Sequence, residues 1–349
     1  MSGKRKVALV GIGRMGRNHL RVLREHPGFE LVAVVDSAAP APGDLGSIPF
    51  LRSVKELAKF DFDAAIVATP TATHSEVAME LVAMKKHLLV EKPLASTYDQ
   101  AVNLVRASNQ AGIKLVVGHV ERFNPAVRKL REVITNGWLG TPIHFSFTRV
   151  GGYPDTIMAG NNVLLDLAVH DIDVLRGLMG PLKLESSTCH ATWREGVLDT
   201  AEIFLLANTG ASASVHVNWI TPTKIRTIRV TGTRGVCFVD YILQTCEMLG
   251  GSLLKAIEPS VPSFEAIQDL YRTTDRIQFG VQKVEPLRAQ ADQFKMLLNT
   301  GELGELCSGS DAISAVMLAE RATVRKAAGP KSLPPPTADH VPAPTDEWV

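Results

Sequence analysis

The sequence predicts an α/β fold: an N-terminal doubly wound parallel sheet, followed by a C-terminal α+β domain built on an open mixed or antiparallel sheet. Three observations carry that expectation. From Val7 to about Val117, short apolar runs alternate with stretches of helical period, as in a parallel sheet with crossover helices. After Gly118 come several β-rich runs with few helical interruptions, which pair as antiparallel or mixed neighbours. Finally, the 349 residues exceed one ordinary core, since a domain takes roughly 150 residues. Two domains are expected, at 1–120 and 121–330, with a proline-rich tail at 331–349.

In the first half, the runs Val7–Val10, Leu31–Val35, Ala64–Ala68, Leu88–Val90 and Leu115–Val117 are short and continuously apolar, as strands buried on both faces must be. Helical periods fall between them at Met15–Glu25, Val54–Ala58, Ser75–Met84 and Thr97–Ala111. A helix at Pro125–Asn136, a strand at Ile143–Val150 and a helix across Asn162–Met179 open the second half. Strands are then expected at Leu184–Trp193, Ala201–Leu206, Ala211–Trp219, Ile225–Thr231 and Val236–Tyr241. Helical periods at Pro286–Leu298 and Ala312–Ala328 are expected to pack back on the body, and Ser332–Val349 reads as a disordered or draped extension.

Acidic and basic residues nearly cancel, leaving a formal charge of +1. That excludes the electrostatic footprint of a nucleic-acid or anionic-membrane binder, so small molecules and further copies of the chain are the expected partners. Cys189, Cys237, Cys246 and Cys307 show neither Cys-x-x-Cys nor zinc-site spacing, and no metal is expected. They read as buried thiols in a reducing cytoplasm. The basic start is followed by an apolar run too short for a signal peptide, and no run is long enough for a membrane span.

Gly11-Ile-Gly13-Arg14-Met15-Gly16 lies between the first strand and the first helix. In that setting the glycines provide a tight turn, a close approach for a pyrophosphate and helix-on-strand contact, while the helix N-terminus offers free N–H groups. Asp36 ends the next strand, at the spacing expected of an acid that binds a ribose diol. A carboxylate there disfavours a 2′-phosphate, and Ser37 supplies no arginine, so NAD is the expected cofactor. Thr69-Pro70-Thr71-Ala-Thr-His74 follows a strand and belongs at the same sheet edge, with Thr69 and Thr71 placed to line the nicotinamide ribose. His74 reads equally as a cofactor contact or as a cap for a helix beginning near Ser75.

Glu91-Lys92-Pro93 closes the strand His87–Val90, placing an amine where such sheets do chemistry. Further on, Asp166 and His170 stand four residues apart in an otherwise apolar helix, a spacing that stacks them on one face, and Asp173 extends the stripe. A polar stripe on so apolar a helix is buried with partners or lines a cleft. Oxidising an alcohol needs a base for the hydroxyl proton, which suits His170, and a cation near the oxygen, which suits Lys92. Asp166 is placed to orient that pair.

Taken together, the glycine loop, Thr69-Pro70 with His74, Glu91-Lys92-Pro93 and the Asp166/His170 spacing resemble the glucose–fructose oxidoreductase, inositol dehydrogenase and rhizopine-catabolism (Gfo/Idh/MocA) family of NAD(P)-dependent sugar oxidoreductases. The resemblance extends to about Ala328. It implies a Rossmann domain followed by an open-sheet domain whose exposed face commonly makes dimer and tetramer contacts. It also implies a catalytic lysine at Lys92, an acid/base histidine at His170, a nearby acid at Asp166 and cofactor contacts that include Glu91. Lys85-Lys86-His87-Leu88 departs from the family pattern, where many members have Gly-Lys-His-Val.

Within the family, Gly118-His-Val-Glu121-Arg122-Phe123-Asn124-Pro125 and Leu165–Val174 are similar to the branch that oxidises UDP-N-acetylated sugars at C3, which feeds 3-amino-sugar and lipid A biosynthesis. UDP-N-acetylglucosamine is the favoured substrate on that resemblance. The corresponding uronic acid, a free sugar or an inositol are alternatives, and a non-catalytic dinucleotide-binding regulator is a further one. Arg122 or Arg149 is then expected on the diphosphate and Asn124 on a hydroxyl or acetamido group. Asn124-Pro125 reads as well as a helix cap followed by a first-turn proline. Tyr153 and Asn161, on the link before the Asp166 helix, are further candidate sugar contacts. Related enzymes also suggest a 2-oxo acid that recycles retained cofactor.

Overall fold

A computed structural model describes residues 3–38, 45–152, 162–250 and 275–323. Strands β1 (Arg5–Val10), β2 (Phe29–Val35), β3 (Phe50–Leu51), β4 (Ala64–Val67), β5 (His87–Glu91) and β6 (Leu115–Gly118) form a parallel sheet in the order β6-β5-β4-β1-β2-β3. Alternation along its strands explains their unbroken apolar sequence. Val7, Leu9 and Ile66 face α1 (Arg14–Glu25) and α6 (Pro286–Thr300), whereas Ala8, Val10 and Val67 face α2 (Thr71–Ala83) and α3 (Tyr98–Gln110). With both faces covered, the middles of the strands stay apolar and polar residues fall at the strand ends, such as Arg5 and Glu91. The strand order reverses between β1 and β4, and this switch point opens a crevice at the carboxyl ends of the strands.

The second sheet contains β7 (Pro142–Val150), β8 (Leu182–His190), β9 (Thr200–Ala207), β10 (Ser212–Asn218), β11 (Ile225–Gly232), β12 (Gly235–Asp240), β13 (Thr245–Gly250) and β14 (Asp275–Phe279). Its order is β14-β13-β12-β11-β7-β10-β9-β8; β7 and β10 run parallel and the other neighbours antiparallel. Phe145, Phe147, Val215, Val217, Ile228 and Val230 turn one face toward α4 (Pro125–Thr135), α5 (Val169–Met179) and α7 (Gly309–Thr323). The opposite face carries the cross-strand row Phe204, Ser214, Ser146, Arg229 and Phe238, in which both phenylalanines are exposed.

Sequence periodicity places the long elements to within a few residues, with instructive differences. The helix expected across Asn162–Met179 is a wide π turn, Leu164–Ala168, leading into α5. The segment expected as a helix at Val54–Ala58 is a 3₁₀ stretch, Val54–Lys59, held by a Ser53/Glu56 capping box. α2 begins at Thr71 rather than near Ser75. Four strands have no counterpart among the expected elements: β3, β13, β14 and β15 (Cys307–Ser308). β15 adds antiparallel to β6, so the C-terminal part of the chain completes the first sheet and α6 covers one of its faces. Lys85 ends the turn after α2 at φ 56°, a left-handed conformation that a glycine adopts without penalty.

Candidate active site

The glycine loop forms a tight cradle at the end of β1. A Cβ on Gly11 would lie 2.7 Å from the Ala68 carbonyl and the Thr69 nitrogen, and one on Gly16 would lie 2.0 Å from the Gly11 oxygen. At Gly13 a Cβ would meet nothing within 4 Å, which leaves room for a phosphate. Asp36 accepts from the Ile12 and Ala38 N–H groups, each at 2.8 Å, so its carboxylate is fixed beside the loop. The buried Thr69 Oγ1 has no hydrogen-bond partner among the described residues. A tight cradle, an open approach, a fixed acid and an orphaned hydroxyl fit an NAD molecule along this edge. Arg14 is exposed at the start of α1, Met15 packs behind the loop, and Thr71 stands partly buried where α2 begins.

Lys92 follows β5 directly. Its ammonium donates to the Asp166 carbonyl at 2.7 Å and to the Asp166 carboxylate at 3.1 Å. The other carboxylate oxygen accepts from Trp219 Nε1 at 3.1 Å. Burial acts to raise the Asp166 pKa, but Lys92, Trp219 and the charge of Arg14 outweigh it and hold the group below its ordinary value. His170 is the second residue of α5, edge-on to His119 with ring centroids 6.4 Å apart. Burial, then the charges of Lys92, Arg149, His119 and Arg226, press its pKa well below the usual histidine range. Its buried Nδ1 has no partner among the described residues. The result is a neutral imidazole beside an anchored ammonium, an arrangement able to accept a proton and stabilise an alkoxide.

The residues around Lys92 serve to hold it. The Glu91 carboxylate is buried, accepting from His19 Nε2 at 2.7 Å and from the Lys92 N–H at 3.2 Å, so this expected cofactor contact is turned into the protein. Burial would raise its pKa, yet the His19 hydrogen bond and neighbouring positive charges bring it below normal. His74 neither caps α2 nor presents its ring to the crevice. Buried in the first turns of α2, it places its two ring nitrogens 2.9 Å from the Pro93 carbonyl and 2.8 Å from the Thr69 carbonyl, joining the loops after β4 and β5.

The expected diphosphate and sugar contacts require correction. Arg122 is buried with Nε and Nη2 each 2.7 Å from an Asp173 oxygen. Arg149 is also buried, forked onto Asp171 at 3.0 and 2.9 Å, with Nη1 on Glu121 at 2.9 Å. Asn124 caps α4 by accepting from the Ala126 N–H at 3.1 Å and donates to the Tyr241 carbonyl at 3.0 Å. In each case a buried polar group has taken an internal partner, as its desolvation demands. Asp166 also makes no hydrogen bond to His170 among the described residues; it anchors Lys92 instead. Tyr153 and Asn161 lie outside the described residues, as does the proline-rich tail.

Residues 5–119 match the oxidoreductase family with an NAD-binding Rossmann fold, and residues 127–237 match the GFO/IDH/MocA C-terminal domain. The chain belongs to the Gfo/Idh/MocA family. One relative in this family is a putative UDP-kanosamine synthase oxidoreductase subunit from Amycolatopsis mediterranei, 30% identical over 66% of this chain and 73% of the relative. Another is the scyllo-inositol 2-dehydrogenase (NAD(+)) of Bacillus subtilis, 28% identical over 68% of this chain and 74% of the relative. Among solved structures, UDP-N-acetylglucosamine 3-dehydrogenase GnnA from Acidithiobacillus ferrooxidans superposes with a TM-score of 0.78 at 20% identity, covering 93% of this chain and 98% of that one. The chain is thus an NAD-dependent Gfo/Idh/MocA oxidoreductase of the sugar and inositol type.

Sequence reasoning passed over several residues of this Gfo/Idh/MocA site. His19 carries no motif, His119 lies in the Gly118–Pro125 segment without a role of its own there, and Trp219 reads as the end of a strand; their roles come from distant elements meeting. Arg52 donates to the Ser37 carbonyl at 2.6 Å, so an arginine stands beside the Asp36 edge although position 37 lacks one. His119, Asp173 and Cys307 bring potential metal-ligating atoms within 4.8 Å of one another, but Arg122 already occupies both Asp173 oxygens, which makes the cluster a buried ion pair. The four cysteines are buried free thiols. Among the described residues, no helix is long and apolar enough to cross a membrane.

Proposed function

We propose that this chain oxidises the C3 hydroxyl of a UDP-N-acetylated sugar, UDP-N-acetylglucosamine in the first instance, to the 3-oxo sugar. The observation that carries the chemistry is the Lys92 ammonium, anchored on the Asp166 carbonyl and carboxylate beside the neutral His170. His170 accepts the hydroxyl proton, Lys92 stabilises the developing charge on that oxygen, and Asp166 keeps the ammonium in place. The glycine cradle and Asp36 would hold NAD, which when bound would supply the acceptor for the hydride leaving C3. Glu91 with His19, and His74 with its two carbonyls, keep the Lys92 loop against the sheet edge.

The nucleotide-sugar assignment is supported by the segments Gly118–Pro125 and Leu165–Val174 and by 30% identity to a relative named for UDP-kanosamine synthesis. A 3-oxo product suits an aminotransferase making 3-amino sugars. The second reading is inositol or a similar polyol, favoured by the 28% identity to scyllo-inositol 2-dehydrogenase. Chemistry and cofactor are the same in both. We further infer a cytoplasmic homodimer or homotetramer formed through the open face of the second sheet, where Phe204 and Phe238 are exposed.

NADH formation decides among these readings. Turnover of UDP-N-acetylglucosamine supports the first, with its uronic acid as the parallel arm. Turnover confined to inositols sinks it, and dinucleotide binding without turnover of any of them supports a regulator. If the cofactor stays bound after one turnover, an added 2-oxo acid is expected to restore cycling.

A further inference from the structure

The two arginines that the sequence offers to a substrate anion are committed elsewhere, but a third has no acidic partner among the described residues. Arg226 lies on β11 directly opposite Arg149 on β7, and the Tyr241 N–H donates to the Arg226 carbonyl. Val217, Arg149, Arg226 and Tyr241 therefore form one cross-strand row beneath the start of α5. Alternation along β11 turns Arg226, with Ile228 and Val230, toward the helix-covered face that bears His170.

The acids around this row are all engaged. Asp171 accepts the Arg149 fork and the Tyr241 hydroxyl, the latter at 3.1 Å. Glu121 accepts from Arg149 and Asn124, and Asp166 from Lys92 and Trp219. Arg226 is left half-buried, its Nε shut away from solvent with no hydrogen-bond partner and its side chain with no acidic partner among the described residues. Burial first, then the charge of Arg149, press its pKa below the ordinary arginine value despite the nearby acids. Its charge is close enough to act on His170 and to feel Asp166. A guanidinium held this way without a counter-ion is costly, and an arriving oxyanion offsets that cost with a forked, charge-assisted hydrogen bond.

We propose that Arg226 receives an oxyanion of the substrate, so that the enzyme selects anionic sugars over neutral polyols. The proposal rests on the catalytic reading of Lys92 and His170 and deepens it with a substrate class. A nucleotide diphosphate and a sugar carboxylate share the required chemistry.

The test compares native enzyme with Arg226→Gln and Arg226→Lys on three substrates: UDP-N-acetylglucosamine, a free hexuronate and scyllo-inositol. For the anion that Arg226 reads, Arg226→Gln is expected to lower kcat/KM relative to scyllo-inositol by about 10- to 100-fold, mainly through KM, the scale of one lost hydrogen bond to a charged group. Arg226→Lys, which keeps the charge but not the fork, is expected to fall between and also serves if the glutamine variant does not fold. Sensitivity confined to UDP-N-acetylglucosamine assigns the diphosphate, and sensitivity confined to the hexuronate assigns the carboxylate. Turnover of UDP-N-acetylglucosamine with KM unchanged in Arg226→Gln for both that substrate and the hexuronate removes Arg226 from the site and leaves the proposed function standing. No turnover of UDP-N-acetylglucosamine, but an Arg226-dependent KM for hexuronate, does the reverse. Turnover restricted to scyllo-inositol, with no inhibition by UDP, overturns both.

Discussion

The Lys92 ammonium donates to two oxygens of one residue, the main-chain carbonyl and the side-chain carboxylate of Asp166. The double attachment fixes the amine of the first sheet against the helix of the second. Replacing Asp166 by Ala leaves only the carbonyl to hold it. The expected outcome is a fall in kcat of about 10²- to 10³-fold, the usual cost of losing a positioned electrostatic group. Steady-state NADH formation measures it, and a change of less than threefold would take Asp166 out of the site.

His170 is expected to set the acid limb of the pH profile. It acts as a base only when neutral, and its pKa lies well below 6.5. The limb of kcat/KM should therefore fall below the ordinary histidine range, with activity flat downward from neutrality to about pH 6.5. The same shift has a stability consequence. Below about pH 6.5 the unfolded chain takes up a proton that the folded chain refuses, so the fold loses stability as pH falls further. His170→Asn should abolish the limb and cost roughly 10²- to 10⁴-fold in rate. A limb centred above pH 7 in the native enzyme would contradict this assignment.

Arg122 should prove structural. Arg122→Met leaves Asp173 buried opposite an apolar side chain, and breaking such a pair costs about 3–5 kcal/mol. Equilibrium or kinetic unfolding in denaturant is expected to show that loss. A marked rise in KM without destabilisation would instead place Arg122 on the substrate.

Asp36 should govern the choice of dinucleotide. Asp36→Ser removes the carboxylate expected to accept from the ribose diol and to repel a 2′-phosphate, while Arg52 already stands next to Ser37. The ratio of kcat/KM for NAD to that for NADP is expected to fall at least about tenfold, the scale of one charge-assisted hydrogen bond. Initial rates with both dinucleotides measure it.

The parallel sheet was the easiest part to read, because strands such as Val7–Val10 and Ala64–Val67 are covered on both faces and leave continuous apolar runs. Gly11 and Gly16 were equally legible: each position excludes a Cβ by contact with nearby backbone, so the sequence has no alternative to glycine. Arg122, Arg149 and Arg226 were not. Nothing local separates an arginine that meets a buried acid from one that does not, since Asp173 and Asp171 lie on α5, far along the chain from their partners. The two-residue β15 is too short for any period, and its pairing with β6 depends on the fold closing first. Lys85 shows the converse: a position whose backbone suits glycine is occupied by lysine, so the turn is set by its surroundings.

Residue count is as much a part of this site as residue identity. Leu164–Ala168 winds wider than an α-helix just before His170. A π turn spends one residue more than an α turn, so removing one residue there would restore ordinary winding and leave α5, with His170, facing much as it does. What would shift is the wide turn itself, which carries Asp166 and its double hold on the Lys92 ammonium. Surface loops absorb insertions and deletions freely, whereas a homologue one residue shorter here would keep its base on α5 and have to hold its lysine by another acid.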